Sequence, residues 1–168
     1  MVRAARFYEI GKSLKLEDVD IPEVGDNDVL LKIKAAGMCH SDIHIIDGVI
    51  ASMPPVTLGH EIAGEVAEIG TNVKNFTRGE KAVVHFLSPC GTCNCCLAGN
   101  GMICENLFVR PGYGFSADGG YAEYCKVDAE RLVHLPDIPL DFAATLGCAG
   151  ITAYHAINNK NKLDLMDD

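Results

Sequence analysis

Long apolar runs are missing from this sequence: none approaches the ~18 residues that cross a bilayer,. Basic residues are scarce as well, with 14 Lys and Arg against 23 Asp and Glu and a formal charge of -9. A surface of that sign repels phosphate backbones and anionic headgroups, so neither nucleic acid nor membrane is an expected partner. No internal repeat or low-complexity tract interrupts the chain. The opening residues, VRAARFYEI, lack the basic, apolar, small-residue order of a secretory leader. The cytoplasm is therefore the expected compartment, and the Asn75-Phe76-Thr77 sequon is expected to stay silent there. What remains is an ordinary globular composition, 48% hydrophobic and 22% charged over 168 residues. That length suits one domain able to bury ~70% of its unfolded surface.

Cysteine is in excess. Of eight, five crowd between Cys90 and Cys104. Even spacing through a short secreted chain would suggest disulfides, whereas crowding in a cytosolic chain points to metal. Cys90-x2-Cys93-x2-Cys96-x7-Cys104 supplies four thiolates, with tight turns at Gly91-Thr92 and Gly99-Asn100-Gly101 to fold them around one ion. Four sulfurs with no open position make a structural zinc site. Such a site would hold a loop too small to bury a core of its own. Disulfides and an iron–sulfur cluster are the competing uses of these sulfurs. Cys95 lies off the spacing and reads as a free thiol, although spacing alone also admits Cys95 in place of Cys96.

Most of the chain reads as short strands. Val2 to Tyr8 and Leu14 to Val19 flank a Gly11-Lys12-Ser13 turn and predict a hairpin. Asp28 to Ala36 places Val29, Leu31, Ile33 and Ala35 on one face and Lys32 and Lys34 on the other, the period of a half-buried strand. Met53-Pro54-Pro55 forces Ser52 to Leu58 to be extended. Glu61 to Ile69, Lys81 to Phe86, Tyr121 to Val127 and Arg131 to Leu135 complete the set. Only Asp141 to Asn158 predicts a clear helix, in two pieces interrupted near Gly147 to Gly150. Many short strands separated by Gly, Pro and Asn turns predict a mainly β barrel or sandwich.

The stretch from Gly37 to Glu61 carries the reactive groups. Cys39 and His60 stand about twenty residues apart, too far to share one turn, with Ser41, Asp42 and His44 between them. Thiolate and imidazole suit Zn²⁺, and a catalytic site wants three protein ligands with the fourth position open, so a third donor must come from elsewhere. Taken singly, Cys39 also fits a small buried hydrophobe and His60 a satisfied core histidine.

GMCHSD at 37–42, GHEIAGEV at 59–66, PCGTCNCCLAGNGMIC at 89–104 and GCAGITAY at 147–154 resemble, in this order, the zinc-dependent medium-chain alcohol dehydrogenases. The resemblance covers about residues 2–158. It implies a GroES-like β-barrel catalytic domain over 1–150 with a structural-zinc lobe at 88–106. Residues 151–168 would begin the helical connection to a Rossmann domain. It also implies two Zn²⁺ per chain, one structural, the other catalytic and held by Cys39, His60 and Cys148, the Cys₂His set known for alcohol dehydrogenases. Glu61 would enter the shell when the fourth ligand leaves, or stand behind it as a supporting carboxylate. Ser41 would accept a hydrogen bond from the substrate hydroxyl and relay the proton through the cofactor ribose toward His44. Asp42 would orient His60 through its free ring N–H. His40 resembles the position that meets the cofactor pyrophosphate; Gly150 and Thr152 resemble positions beside the nicotinamide, and Phe86 a wall of the substrate pocket. His85 is a further pocket candidate, while His134 and His155 read as structural.

Gly112-Tyr113-Gly114-Phe115-Ser116-Ala117 has the letters of a dinucleotide fingerprint but not the context. It follows an Arg110-Pro111 turn and runs into Asp118-Gly119-Gly120, with no strand before or helix after it. The enzymes resembled continue past a point equivalent to Leu165–Asp168 into a Rossmann domain, so NAD(P) would come from that domain or from a partner chain. The expected function is interconversion of a small alcohol with its aldehyde or ketone. The alternatives are a stand-alone zinc-binding module without turnover, or a polyol or amino-alcohol dehydrogenase domain. A carboxylate typically replaces the last cysteine in that polyol branch, so Cys148 favours a simple alcohol. Self-association into a homo-oligomer is left open by the sequence.

Overall fold

A computed structural model describes residues 1–87, 89–106 and 112–157. Ser88 at the start of the lobe, the Arg110-Pro111 turn, the helix end at Asn158 and the Leu165–Asp168 terminus lie outside the described residues. Among the described residues eight strands form two antiparallel sheets. β1 (Val2–Phe7), β2 (Lys15–Val19) and β4 (Val56–Thr57) run in the order β2-β1-β4. β3 (Asp28–Gly37), β5 (Glu61–Ile69), β6 (Lys81–Val84), β7 (Tyr124–Asp128) and β8 (Leu132–His134) run in the order β7-β3-β5-β6-β8. The expected hairpin is present, with Val2 opposite Val19 and Arg6 opposite Lys15. An Ala4–Ala122 bridge and a hydrogen bond from the Ala5 N–H to the Tyr121 carbonyl at 2.8 Å join the two sheets. This is the expected mainly β architecture.

The largest apolar cluster among the described residues lies on the five-stranded sheet. Val29, Leu31, Ile62, Val66, Phe76, Val84 and Val127 are buried at its centre; each such side chain contributes ~1.5–3 kcal/mol through burial. β3 departs from the simple alternation its sequence suggests. Register shifts between Leu30 and Leu31 and between Ile33 and Ala35 let Leu30 bury beside Leu31, since a bulge sets two residues against one and re-aims the side chains after it. β6 ends at Val84, two residues earlier than the apolar period predicts, and β7 begins only at Tyr124. At Gly120 and Tyr121 the backbone instead donates to the carbonyls of Gly59 and Leu58, at 2.6 and 3.0 Å.

Among the described residues four short α-helices decorate the sheets: α1 (His40–Ile46), α2 (Asn94–Leu97), α3 (Leu140–Thr145) and α4 (Ile151–His155). The interruption expected near Gly147 is a single π turn, Leu146–Gly150. α3 lies against β3 and β5 through small residues, with Ala143 and Ala144 buried on Ala63. Methyl-on-methyl contact brings the backbones close, and that approach carries the π turn toward the start of β5. Among the described residues no helix is long and apolar enough to cross a membrane.

Candidate metal centres

Three separate elements deliver one donor set. Cys39 is the N-cap of α1, in extended conformation. Glu61 opens β5, and His60 stands between it and Gly59. Cys148 sits in the π turn beyond α3. Their four donor atoms lie within 4.8 Å of one another, and the Cys39 and Cys148 Sγ atoms are 3.9 Å apart. Gly59 has φ +88, and a Cβ there would lie 2.5 Å from the Tyr121 ring. Only glycine therefore permits both the turn and the ring that covers it.

The donors fit a cation. His60 is fully buried, yet both ring nitrogens lack a hydrogen-bond partner, a situation native interiors avoid. A divalent ion on one nitrogen, with Asp42 on the other, would satisfy both. Burial disfavours the Cys39 thiolate, but the Ser41 N–H and hydroxyl and the neighbouring His60 outweigh burial and hold its pKa below the ordinary value. Cys148, half-buried and facing that thiolate, is pushed up to about 12 by desolvation and the Cys39 charge. Two anionic sulfurs at such a distance repel unless a cation lies between them.

Asp42 organises the pocket from behind. It is buried and accepts from the Cys39 N–H at 3.0 Å, the Tyr121 hydroxyl at 2.9 Å and the Gly59 N–H at 3.2 Å. Its Oδ1 lies 3.5 Å from His60 Nδ1, an ion-pair separation rather than a hydrogen bond. Burial opposes both charges, yet the two groups offset it for each other: the pair raises the His60 pKa and lowers that of Asp42. Neither Tyr121 nor Phe115, whose ring is 4.8 Å from that of His60, stands out in the sequence. Tyr121 falls in an expected strand and Phe115 inside the rejected fingerprint; periodicity carries no trace of either contact.

The remaining candidates are distributed as follows. Phe86 packs 4.9 Å from the His60 ring and 5.6 Å from Phe115, an apolar wall beside the donors. His85 turns its Nδ1 to the Leu87 carbonyl at 2.8 Å. Ser41 Oγ lies 3.6 Å from Cys39 Sγ. His44 is one turn further along α1, its ring 4.5 Å from exposed His40. No hydrogen bond joins Ser41 to His44 among the described residues. Gly150 closes the π turn, and Thr152 is exposed on α4. His134 stacks on Phe76 at 4.1 Å. Gly112 to Ala117 form a tight loop in which Gly114 abuts the Gly59 carbonyl; irregular backbone, not a helix, follows it up to β7.

The second cluster joins Cys90, Cys93, Cys96 and Cys104, whose Sγ atoms also lie within 4.8 Å of one another. Cys95 lies outside this group, its Sγ 3.8 Å from Glu105. Backbone N–H groups of Cys93 and Asn106 point at the Cys90 and Cys104 sulfurs, each at 3.3 Å. Such donors favour thiolates. The Thr92 N–H and hydroxyl, then the Asn106 side-chain amide and the Cys93 N–H, hold the Cys90 thiol down at about 5. Burial and the neighbouring sulfurs push Cys96 up to about 12. A closed four-sulfur set of this kind suits structural zinc.

Residues 25–137 match the alcohol dehydrogenase GroES-like domain family. The NAD-dependent alcohol dehydrogenase of Sulfolobus acidocaldarius is 37% identical, the match covering 95% of this chain and 48% of that protein. An alcohol dehydrogenase of Geobacillus stearothermophilus is likewise 37% identical, over 93% and 47%. The cobalt- and zinc-bound thermostable alcohol dehydrogenase of Pyrobaculum aerophilum superposes with a TM-score of 0.85 at 36% identity, covering 92% of this chain and 47% of that one. The chain thus spans about half the length of the curated relatives it matches. It belongs to the alcohol dehydrogenase GroES-like domain family.

Proposed function

We propose that this chain is the catalytic part of a zinc-dependent alcohol dehydrogenase, interconverting a small alcohol with its aldehyde or ketone. The observation that carries the reading is the convergence of Cys39, His60, Glu61 and Cys148 around a buried imidazole with two unpartnered nitrogens. Cys39, His60 and Cys148 would hold the ion and leave a corner open, with Glu61 as the carboxylate that stands by. Bound there, Zn²⁺ supplies Lewis acidity toward an alcohol or carbonyl oxygen.

The chain's own residues do the rest. Phe86 and Phe115 exclude water from the imidazole side of the pocket. Asp42 holds His60 in one orientation, so that the nitrogen opposite Nδ1 faces the ion. Ser41, beside Cys39, takes the hydroxyl proton as it passes on its own, and His44 exchanges a proton with solvent. The gap between Ser41 and His44 suits a relay completed by a cofactor hydroxyl. His40, Gly150 and Thr152 would border that cofactor, NAD(P), held by a Rossmann domain of the same protein or of a partner chain. Cys90, Cys93, Cys96 and Cys104 would hold the structural ion.

A closed four-sulfur lobe would serve a binding module equally well. The second donor set, with an open corner and proton-exchanging side chains beside it, is what favours chemistry. The test supplies the chain with a Rossmann partner, NAD(P)⁺ and a panel of primary and secondary alcohols. NAD(P)H formation that Cys148→Ala abolishes supports the reading; no turnover with any alcohol by a chain carrying both ions refutes it.

A further inference from the structure

We propose that the Tyr121 hydroxyl is a positioning group for the ion held by Cys39, His60 and Cys148, acting through Asp42. The inference rests on the metal-site reading above. Asp42 is buried, and its two oxygens have separate tasks. Oδ1 takes the Gly59 N–H at 3.2 Å and faces His60 Nδ1 at 3.5 Å. Oδ2 takes the Cys39 N–H at 3.0 Å and the Tyr121 hydroxyl at 2.9 Å. One carboxylate thereby spans the backbone of one ligand and the ring of another.

A carboxylate plane turns about one bond, so fixing Oδ2 fixes where Oδ1 points. The Gly59 N–H on Oδ1 and the Cys39 N–H on Oδ2 hold that rotation in part; the Tyr121 hydroxyl adds the shortest of the three bonds and the only one from a side chain. Tyr121 is itself seated firmly. Its ring covers Gly59, where a Cβ would lie 2.5 Å from it, and its hydroxyl also lies 3.3 Å from the Gly37 carbonyl. Its backbone pairs with Leu58 at 3.0 Å. The ring covers the turn that presents His60 while the hydroxyl sets the carboxylate behind it. Partners behind a metal-binding histidine typically change metal affinity by about 10–100-fold.

Tyr121→Phe keeps the ring over Gly59 and removes only the hydroxyl. Zinc-loaded wild type, Tyr121→Phe and Cys148→Ala are each mixed with a chromogenic chelator, and release of each ion is followed. Wild type should release two ions, and the phase missing from Cys148→Ala marks the ion in question. Tyr121→Phe should lose that ion about tenfold faster or more, with the four-cysteine ion and the thermal midpoint unchanged. In the same variant the His60 Nδ1–H resonance should shift, which a packing role for the ring would not require. Equal release rates in wild type and Tyr121→Phe overturn the positioning role and leave the metal site standing. A wild type holding only the four-cysteine ion refutes both. If Tyr121→Phe fails to fold, the decision passes to zinc-loaded wild type. A slowly exchanging Tyr121 hydroxyl proton close to the Cys39 amide supports the role; its absence overturns it.

Discussion

Gly37 and Glu61 face one another across the β3–β5 ladder, and a Cβ on Gly37 would lie 1.9 Å from Glu61 Oε2. The glycine that ends β3 is therefore the space into which the Glu61 carboxylate fits, beside the donors of Cys39, His60 and Cys148. Gly37→Ala should expel that carboxylate. The fold should tolerate the change at a cost of about 1–3 kcal/mol, typical of overpacking, because Glu61 can swing its flexible end aside. Denaturant melts paired with metal analysis check this. The expected result is a modest loss of stability with weakened retention of the ion at Cys148.

Small side chains bring the last ligand into range. Ala63 on β5 is fully buried against Ala143 and Ala144 of α3. Ala63→Leu should push α3 outward and carry the π turn with it, separating Cys148 from Cys39 and His60. A destabilisation of about 1–3 kcal/mol is expected, together with loss of one ion while the four-cysteine ion stays. Two ions retained at wild-type affinity would contradict this link between packing and site.

In the lobe, the register is decided by one residue. Cys96 joins the cluster and Cys95 faces Glu105. Cys96→Ser should abolish retention of the lobe ion, and Cys95→Ser should leave it intact. The reverse pattern would mean that the alternative register is used when the ion is bound.

Removing metal should unfold the lobe selectively. Residues 89–106 have no large apolar core of their own; Leu97, Met102 and Ile103 are exposed, so the bound ion supplies the stability of that segment. After chelation, amide hydrogen exchange should quicken across 89–106 while the amides of β3 and β5 stay protected. Uniform loss of protection would contradict a locally stabilising role.

Much of this molecule is legible in its sequence because the informative signals are local. The β1–β2 hairpin follows from a turn and two apolar periods, and the lobe from four cysteines at close spacing. The break at Gly147 to Gly150 is readable too, although its form, a π turn, is not. What local pattern cannot carry is the meeting of distant residues. Nothing around Tyr121 signals that its hydroxyl will reach Asp42, since their partnership depends on how Gly59 turns between them. Phe115 is hidden inside a Gly-rich loop that imitates another motif. The bulges in β3 are likewise set by the partner strand: alternation in Val29 to Ala35 assumes a regular ladder, and β5 does not provide one.

The most direct test of the account is anomalous diffraction at the zinc absorption edge from crystals of the protein prepared without chelators. Two ions should appear. One should lie about 2.3 Å from the Cys39 and Cys148 sulfurs and about 2.0–2.1 Å from a His60 ring nitrogen, and the other among Cys90, Cys93, Cys96 and Cys104. A single ion confined to the lobe, with Cys148 beyond bonding range of any metal, would contradict the central claim.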